Sequence, residues 1–236
     1  MNTYLFESDY SADTLRWLKK REEKNVKFNS NVELENLQNE IIQDNDSALA
    51  YFVALDYPYK MYRMQKVILD NKDQKYGYLF ARNIKNCDTI ALQQMVINSK
   101  KIKYICKFAC FVKNAEIKSL EPIILKSGSA KYAHMCLKHI PNSNINKFKK
   151  VILVSKKPRY LYELAKHTKS QKDISKIEDL IIELSSFTYM RLFAEKIKMA
   201  NIEKIEQAIL NSGNIKEIKK FANFVKKSKM RKFLIL

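Results

Sequence analysis

The sequence predicts an all-α protein, a right-handed α-solenoid of about seven helical hairpins. One observation behind this prediction is a pattern of apolar residues that returns about every 28 positions. Another is the scarcity of glycine and proline, at 3 and 4 of 236 residues, because β folds with tight turns need both. A period of about 20 to 50 residues is typical of arrays in which stacked units bury apolar faces that a single unit cannot bury.

Each repeat is counted from its first apolar residue, which we call place zero. Place four is always Ile or Val, place seven is small and polar in six repeats, and place twelve is Tyr in five. Places sixteen and seventeen are Phe-Ala in four repeats. These columns predict one repeated structural unit over residues 34–229. The place-zero residues are Leu37, Met64, Leu92, Leu120, Phe148, Ile177 and Ile205.

Two helices are predicted in each repeat. The first covers about places −2 to 6 and carries apolar residues at places 0, 4 and 5. A turn at places 7 to 9 offers the second helix an N-cap, as at Asp73, Ser129, Ser186 and Asn214. The second helix is expected from about place 10 to place 22, because its apolar places 12, 13, 16, 17 and 20 share one arc.

Both ends of the chain differ from the repeat. Residues 1–33 are predicted to form an acidic-leaning N-terminal cap, with a helix from about Ala12 to Lys24 around Trp17. Residues 230–236 are predicted to be a truncated eighth repeat or a C-terminal cap.

The repeat motif has the form I-h-x-S-x(4)-Y-x(3)-F-A, where h is apolar. This architecture resembles HEAT, TPR and related helical-hairpin arrays, although its period is shorter than theirs. The motif is similar to short helical repeats of low-GC bacteria, their phages and giant viruses. The resemblance covers about residues 34–229 and implies an α-solenoid, with no defined activity attached. In a virus or phage, such an array would suit an inhibitor or adaptor of host machinery.

Catalytic and metal motifs are missing from the sequence. There is no GxSxG, Walker loop or glycine-rich phosphate loop, and carboxylates in the repeats do not form columns. Cys106, Cys110 and His134 lie on neighbouring predicted helices, but no CxxC or HExxH supports a zinc site and their places are expected to face outward. We therefore expect no enzyme activity, no cofactor and no bound metal.

The net charge of +19 is uneven along the chain. Residues 1–63 carry a net charge of −3 and residues 64–236 a net charge of +22. Such a field attracts polyanions. The cations are 37 Lys and only 7 Arg, however, a ratio that AT-rich codon usage also produces. Selected base recognition usually relies on Arg, so weak sequence preference is expected of any nucleic-acid binding.

Basic residues form two columns on the predicted second helix. Stacked repeats would turn these columns into two ladders that suit a phosphate backbone or an acidic protein surface. The alternative interpretation is a solvated lysine surface. The place-eleven ladder is Lys75, Lys103, Lys131, Arg159 and Lys216, and the place-twenty-one ladder is Lys85, Lys113, Lys169, Lys198 and Lys226.

Tyrosines accompany the first ladder. The place-twelve tyrosines lie at the edge of the apolar arc and are expected to pack in the core. Tyr51, Tyr78 and Tyr162 at place fourteen are expected to be exposed and to contact a partner.

Three classes of function follow as expectations. The first is a non-enzymatic scaffold that holds a macromolecular partner, foremost a protein, on its exposed face. The second is a nucleic-acid-binding protein with weak sequence preference that uses the lysine ladders. The third is an enzyme, for which the sequence shows no group of catalytic residues. The absence of an apolar span and of a signal peptide, together with four cysteines, predicts a cytoplasmic protein without membrane contact.

Overall fold

The structure is a computed structural model that describes residues 31–141, 144–225 and 228–229. These residues form 14 α-helices and no strand, which confirms the all-α prediction. Predictions made for residues 1–30, for Lys226 and for residues 230–236 lie outside the described residues. Among the described helices, none is both long and apolar enough to cross a membrane.

The helices alternate between the predicted first and second helix of each repeat, so odd numbers are first helices. A 3-10 turn at Pro58–Lys60 precedes α3. In chain order the α-helices are α1 Asn31–Asp44, α2 Ser47–Asp56, α3 Met61–Asp70, α4 Gln74–Asn83, α5 Thr89–Asn98, α6 Ile102–Phe111, α7 Ile117–Lys126, α8 Ala130–His139, α9 Ile145–Ser155, α10 Pro158–Lys166, α11 Gln171–Glu183, α12 Phe187–Lys196, α13 Ile202–Asn211 and α14 Ile215–Phe224.

Second helices end earlier than the sequence predicts, at place 18 or 19 instead of place 22. Five of these helices end at an apolar residue at place twenty whose backbone is extended, as at Ile84 with φ −96° and ψ 120°. Val112 and Ile197 end α6 and α12 in the same way. These side chains are buried, so the expectation that place twenty joins the core is confirmed even though the helix has ended.

The turn inside each hairpin has a left-handed residue at place eight. A positive φ between 49° and 66° occurs at this place in every predicted repeat. Only two of these residues are glycine, although glycine adopts this conformation at least cost. The residues are Asn45, Lys72, Lys100, Gly128, Lys156, Ser185 and Gly213.

The predicted caps at place nine form only in part. Asp73 accepts hydrogen bonds from the backbone N–H groups of Lys75 and Tyr76, at 2.9 and 3.1 Å. Asn214 accepts one from Glu217 at 3.2 Å. Ser129 and Ser186 make no side-chain cap, so the prediction was wrong for those two residues.

Three columns are the most consistently buried part of the core. Place four is at most 1% exposed in every predicted repeat, from Ile41 to Ile209. Place zero is equally buried from Met64 onward. Place sixteen is buried in all repeats and contributes the largest side chains of the interior, among them Phe80, Phe108, Phe193 and Phe221. The apolar columns of the sequence are therefore packing columns.

The chain divides into two compact units, with the boundary between Ile123 and Ile124 inside α7. In unit 1, α2 packs against α3 and α4, and α4 packs against α5 and α6. In unit 2, α8 contacts α9 and α10, α10 contacts α11 and α12, and α12 contacts α13 and α14. Within each unit, every such second helix thus touches both helices of the next pair, as in a helical repeat array.

Buried polar side chains at place one bond to backbone 23 residues later in four of the repeats, a feature that was not predicted from the sequence. Gln65 Oε1 accepts from the backbone N–H of Asp88 at 3.0 Å, while its Nε2 donates to the Asp88 carbonyl at 3.1 Å. Gln93 accepts from the N–H of Glu116 at 2.9 Å. We call these bonds, which span 23 residues, the inter-repeat clamps.

In unit 2 the clamps use carboxylates. Glu178 accepts from the N–H of Asn201 at 2.8 Å, and Glu206 accepts from that of Lys229 at 2.7 Å. The place-one residue makes different contacts at the two steps between repeats that are not 28 residues long. Gln38 belongs to the first repeat, which is 27 residues from the second. Its Nε2 is buried without a hydrogen-bond partner among the described residues. Lys149 belongs to the fifth repeat, which is 29 residues from the sixth. Its ammonium group lies 3.8 Å from a carboxylate oxygen of Asp173.

The Glu178 clamp predicts a pH dependence of stability. Burial raises the pKa of Glu178, while the N–H of Asn201 and the Lys204 ammonium act to lower it. A carboxyl with a raised pKa in the folded state stabilises fully below its unfolded pKa, and that contribution is lost as the pH rises through the folded pKa. Glu178→Gln keeps the acceptor without the charge. We expect its free energy of unfolding to match that of the wild type near pH 4 and to exceed it at pH 7.

Urea unfolding at pH 4, 5.5 and 7 measures this difference. Glu183→Gln on the same helix serves as the control, because Glu183 is exposed and its ion pair with Lys156 contributes at most about 1 kcal/mol. A Glu178→Gln variant that is less stable at pH 7 than at pH 4, relative to wild type, would show that the buried charge stabilises the fold.

Candidate interaction surface

The place-eleven ladder lies at the start of the second helices. Its members are the second residues of α4, α6, α8, α10 and α14, and all are exposed except the half-buried Lys75. A cation in the first turn of a helix opposes the helix dipole, at a cost of roughly 0.3–1 kcal/mol. Helix stability therefore does not explain a basic column at this place, and departures from local preference concentrate at functional positions.

The ladder cations lie over tyrosine rings. In four second helices the charged group at place eleven is 5.1 to 5.9 Å from the centroid of the ring at place twelve, within the range of a cation–π contact. The contact orients each cation above the helix. The four pairs are Lys75 with Tyr76, Lys103 with Tyr104, Lys131 with Tyr132, and Arg159 with Tyr160.

In unit 1 these contacts extend into a larger cluster across α4 and α6. The Lys107 ammonium is 5.5 Å from the Tyr78 ring centroid and 5.9 Å from that of Tyr104, so it links the two helices. The Arg82 guanidinium is 5.6 Å from the Phe111 ring. We call the following residues the basic–aromatic patch: Lys75, Tyr76, Tyr78, Arg82, Lys103, Tyr104, Lys107 and Phe111.

Acidic residues are distributed unevenly among the second helices. α4, α6 and α8 contain no Asp or Glu. In α14, by contrast, Glu217 pairs with Arg191 of α12 and, at 2.6 Å, with Lys220. α4, α6 and α8 therefore each carry basic side chains that no carboxylate on the same helix offsets.

The expected exposure of the place-fourteen tyrosines was wrong for Tyr51 and Tyr78, which are 1% and 3% exposed. Both side chains face the neighbouring second helix: Tyr51 contacts α4, and the Tyr78 ring lies beside Lys107 of α6. The Tyr51 hydroxyl accepts a hydrogen bond from Asn83 of α4 at 2.6 Å. The Tyr78 hydroxyl accepts one from Arg82 at 3.0 Å. Tyr162 is half-buried and packs against the Tyr189 ring at 6.0 Å.

Burial raises the pKa of both the Tyr51 and the Tyr78 hydroxyl, so both remain neutral hydrogen-bonding phenols. The same geometry corrects the expectation for Cys106 at place fourteen, which is fully buried and does not lean outward. Its Sγ lies 4.0 Å from that of Cys110, one turn further along α6.

The place-twenty-one ladder lies beyond the helices, because they end at place 18 or 19. Lys85, Lys113, Lys169 and Lys198 are exposed and follow the ends of α4, α6, α10 and α12. They are connector residues and do not lie on the helix face that the sequence predicted for them.

A pocket of about 270 Å³ lies between α8 and α10 in unit 2. His134 Nε2 is 4.0 Å from Glu163 Oε2, and the Lys166 ammonium is 2.8 Å from the same oxygen. Burial lowers the pKa of His134, against the opposing influence of Glu163. These polar groups contact one another, over a floor formed by Leu137 and Leu164. The proximity of His134 to Glu163 was not predicted from the sequence, because the two residues are 29 positions apart on different helices.

Neither a protein-family model, nor a curated protein, nor a solved structure matches this chain. The resemblance to HEAT and TPR arrays therefore rests on the repeat motif and on the all-helical architecture.

Proposed function

We propose that this chain is a non-enzymatic scaffold, a right-handed α-solenoid of seven helical hairpins whose second helices hold an anionic macromolecular partner. The sequence pattern of about 28 residues, which continues through both compact units, supports the array. The observation that carries the binding function is the column of cations held over tyrosine rings in four second helices. Within each unit, two such cations lie on successive second helices, and repeated cations of this kind are complementary to a polymer that carries regularly spaced negative charge.

Charge reversal on the ladder tests this proposal. We expect Lys103→Glu/Lys131→Glu/Arg159→Glu to weaken binding of anionic polymers at least tenfold, because it removes the cations that face the partner. The probes are labelled poly-L-glutamate and a labelled 30-nucleotide strand, measured by fluorescence anisotropy at 100 mM salt.

The control carries the same change in net charge on the first helices α7, α9 and α11. Lys118→Glu/Lys147→Glu/Lys172→Glu replaces three exposed lysines and should weaken binding less than threefold. Equal losses in the two triple variants would mean that net charge alone attracts the probes, and the proposed surface would be wrong. Failure of the wild-type protein to bind either probe would also refute it.

A further inference from the structure

We infer that the partner of the basic–aromatic patch is single-stranded nucleic acid, with the patch cations on phosphates and the Tyr104 and Phe111 rings stacked on bases. This inference rests on the proposed function and names its partner. It concerns α4 and α6 of unit 1, where cations and aromatic rings alternate most densely.

The charge of the patch suits a phosphate backbone. Four of its eight residues are cationic, and neither α4 nor α6 contributes a carboxylate. An acidic protein surface would satisfy the same cations. It would gain nothing specific, however, from the aromatic faces between them, whereas every nucleobase has a π-face that stacks on an aromatic ring.

The rings differ in their access to a base. Tyr76 and Tyr78 are 7% and 3% exposed, so they serve as supports within the helix interface. Tyr104 and Phe111 are half-buried and keep part of each ring at the surface. Among the patch aromatics, these two are the rings that a base can reach.

Binding is then an exchange of partners. Without ligand, Lys103 and Lys107 lie over the Tyr104 ring, at 5.4 and 5.9 Å from its centroid, and Arg82 lies over Phe111. A strand offers each cation a phosphate, which is a stronger partner than a π-face. The ring faces so vacated accept bases. A duplex offers the phosphates but keeps its bases stacked inside, so the exchange favours a single strand.

The experiment measures affinity for four probes from 50 to 300 mM salt: a 30-nucleotide DNA strand, the same sequence as RNA, the corresponding DNA duplex, and poly-L-glutamate. We expect tightest binding to the single strands. Lys103→Gln/Lys107→Gln should reduce the slope of log affinity against log salt for single strands by about 1.4, since each phosphate contact contributes roughly 0.7. Lys66→Gln/Lys118→Gln, with the same charge change on α3 and α7, should leave the slope unchanged within about 0.3.

A separate comparison of affinities tests the stacking of bases on Tyr104. Tyr104→Leu should weaken single-strand binding about tenfold and duplex binding less than twofold. Tyr62→Leu, which removes an exposed tyrosine on α3, should change neither affinity. Thermal melts of each variant establish that it is folded. If Tyr104→Leu does not fold, the lysine pair still tests the inference through the salt slope.

The outcomes separate the inference from the proposed function. Tighter binding of poly-L-glutamate than of either strand overturns the inference and leaves the scaffold proposal standing. Duplex binding as tight as single-strand binding, with no effect of Tyr104→Leu, overturns it as well. If no probe binds, the inference and the proposed function both fail.

Discussion

Truncation of Phe193 to alanine is expected to lower the free energy of unfolding by about 3–5 kcal/mol. Phe193 is fully buried at place sixteen of α12, a helix that packs against α10, α11, α13 and α14. Removal of its ring leaves a cavity that helices on several sides would have to collapse to fill. Because hairpins in an array are stabilised by their neighbours, the loss should spread to the adjacent pairs.

Urea unfolding followed by far-ultraviolet circular dichroism measures this loss as a shift of the midpoint. Phe224→Ala on α14 is the matched control, since it removes the same ring from a position that is 43% exposed. Its cost should stay below about 1 kcal/mol. Similar losses for the two variants would show that place sixteen is not the packing centre of this unit.

Gln93→Leu is expected to cost about 2–4 kcal/mol, because it breaks an inter-repeat clamp while preserving apolar volume. The Gln93 amide donates to the Ser119 hydroxyl at 2.8 Å and to the Glu116 carbonyl at 3.4 Å, and its oxygen accepts from the Glu116 N–H at 2.9 Å. Leucine leaves those backbone groups without their partner. Gln93→Glu restores the acceptor alone, as Glu178 does naturally, and should recover part of the loss.

Gln38→Leu provides the opposing case at the equivalent place. Gln38 is also fully buried, but its Nε2 has no hydrogen-bond partner among the described residues. Its Oε1 accepts a long hydrogen bond from Arg63 Nη1 at 3.3 Å, while Arg63 Nη2 also bonds to Asn39 at 2.7 Å. Replacement of Gln38 by an apolar group of similar size therefore removes one long hydrogen bond together with one unsatisfied buried donor. We therefore expect Gln38→Leu to change stability by less than about 1 kcal/mol in the same urea measurement. Equal costs for Gln38→Leu and Gln93→Leu would mean that the clamp bonds contribute nothing.

The core could be predicted from the sequence because its columns are uniform in chemistry. Ile or Val at place four and Phe at place sixteen recur at a fixed interval, and an apolar side chain at a fixed place has one physical reason to recur. The ends of the second helices could not be predicted in the same way. An apolar side chain such as Ile84 at place twenty is compatible with either helical or extended backbone, so its hydrophobicity does not mark where the helix stops.

The polar features were harder to predict for two physical reasons. At place one, residues such as Gln65 and Glu178 have side chains common on surfaces, and only their position beside place zero signals burial. At place fourteen, a projection of one helix puts Tyr51 outside the apolar arc, but the neighbouring second helix covers it. The ladder at place eleven and the neighbouring tyrosines were visible in the sequence, while the contact of four of these cations with tyrosine rings required the structure.

The inter-repeat clamps bear on how such a chain changes length in evolution. Each described clamp pairs a place-one side chain with backbone 23 residues later, and it forms where the step between repeats is 28. An in-frame duplication or deletion of 28 codons inside the array therefore keeps a place-one side chain 23 residues before the backbone group that it bonds, and leaves no buried polar group without its partner. A gain or loss of one codon does not have this property, and Gln38 at the 27-residue step shows the result. Insertion or deletion of a whole repeat is therefore expected to preserve the clamps, whereas a smaller change in the same segments is expected to break one of them.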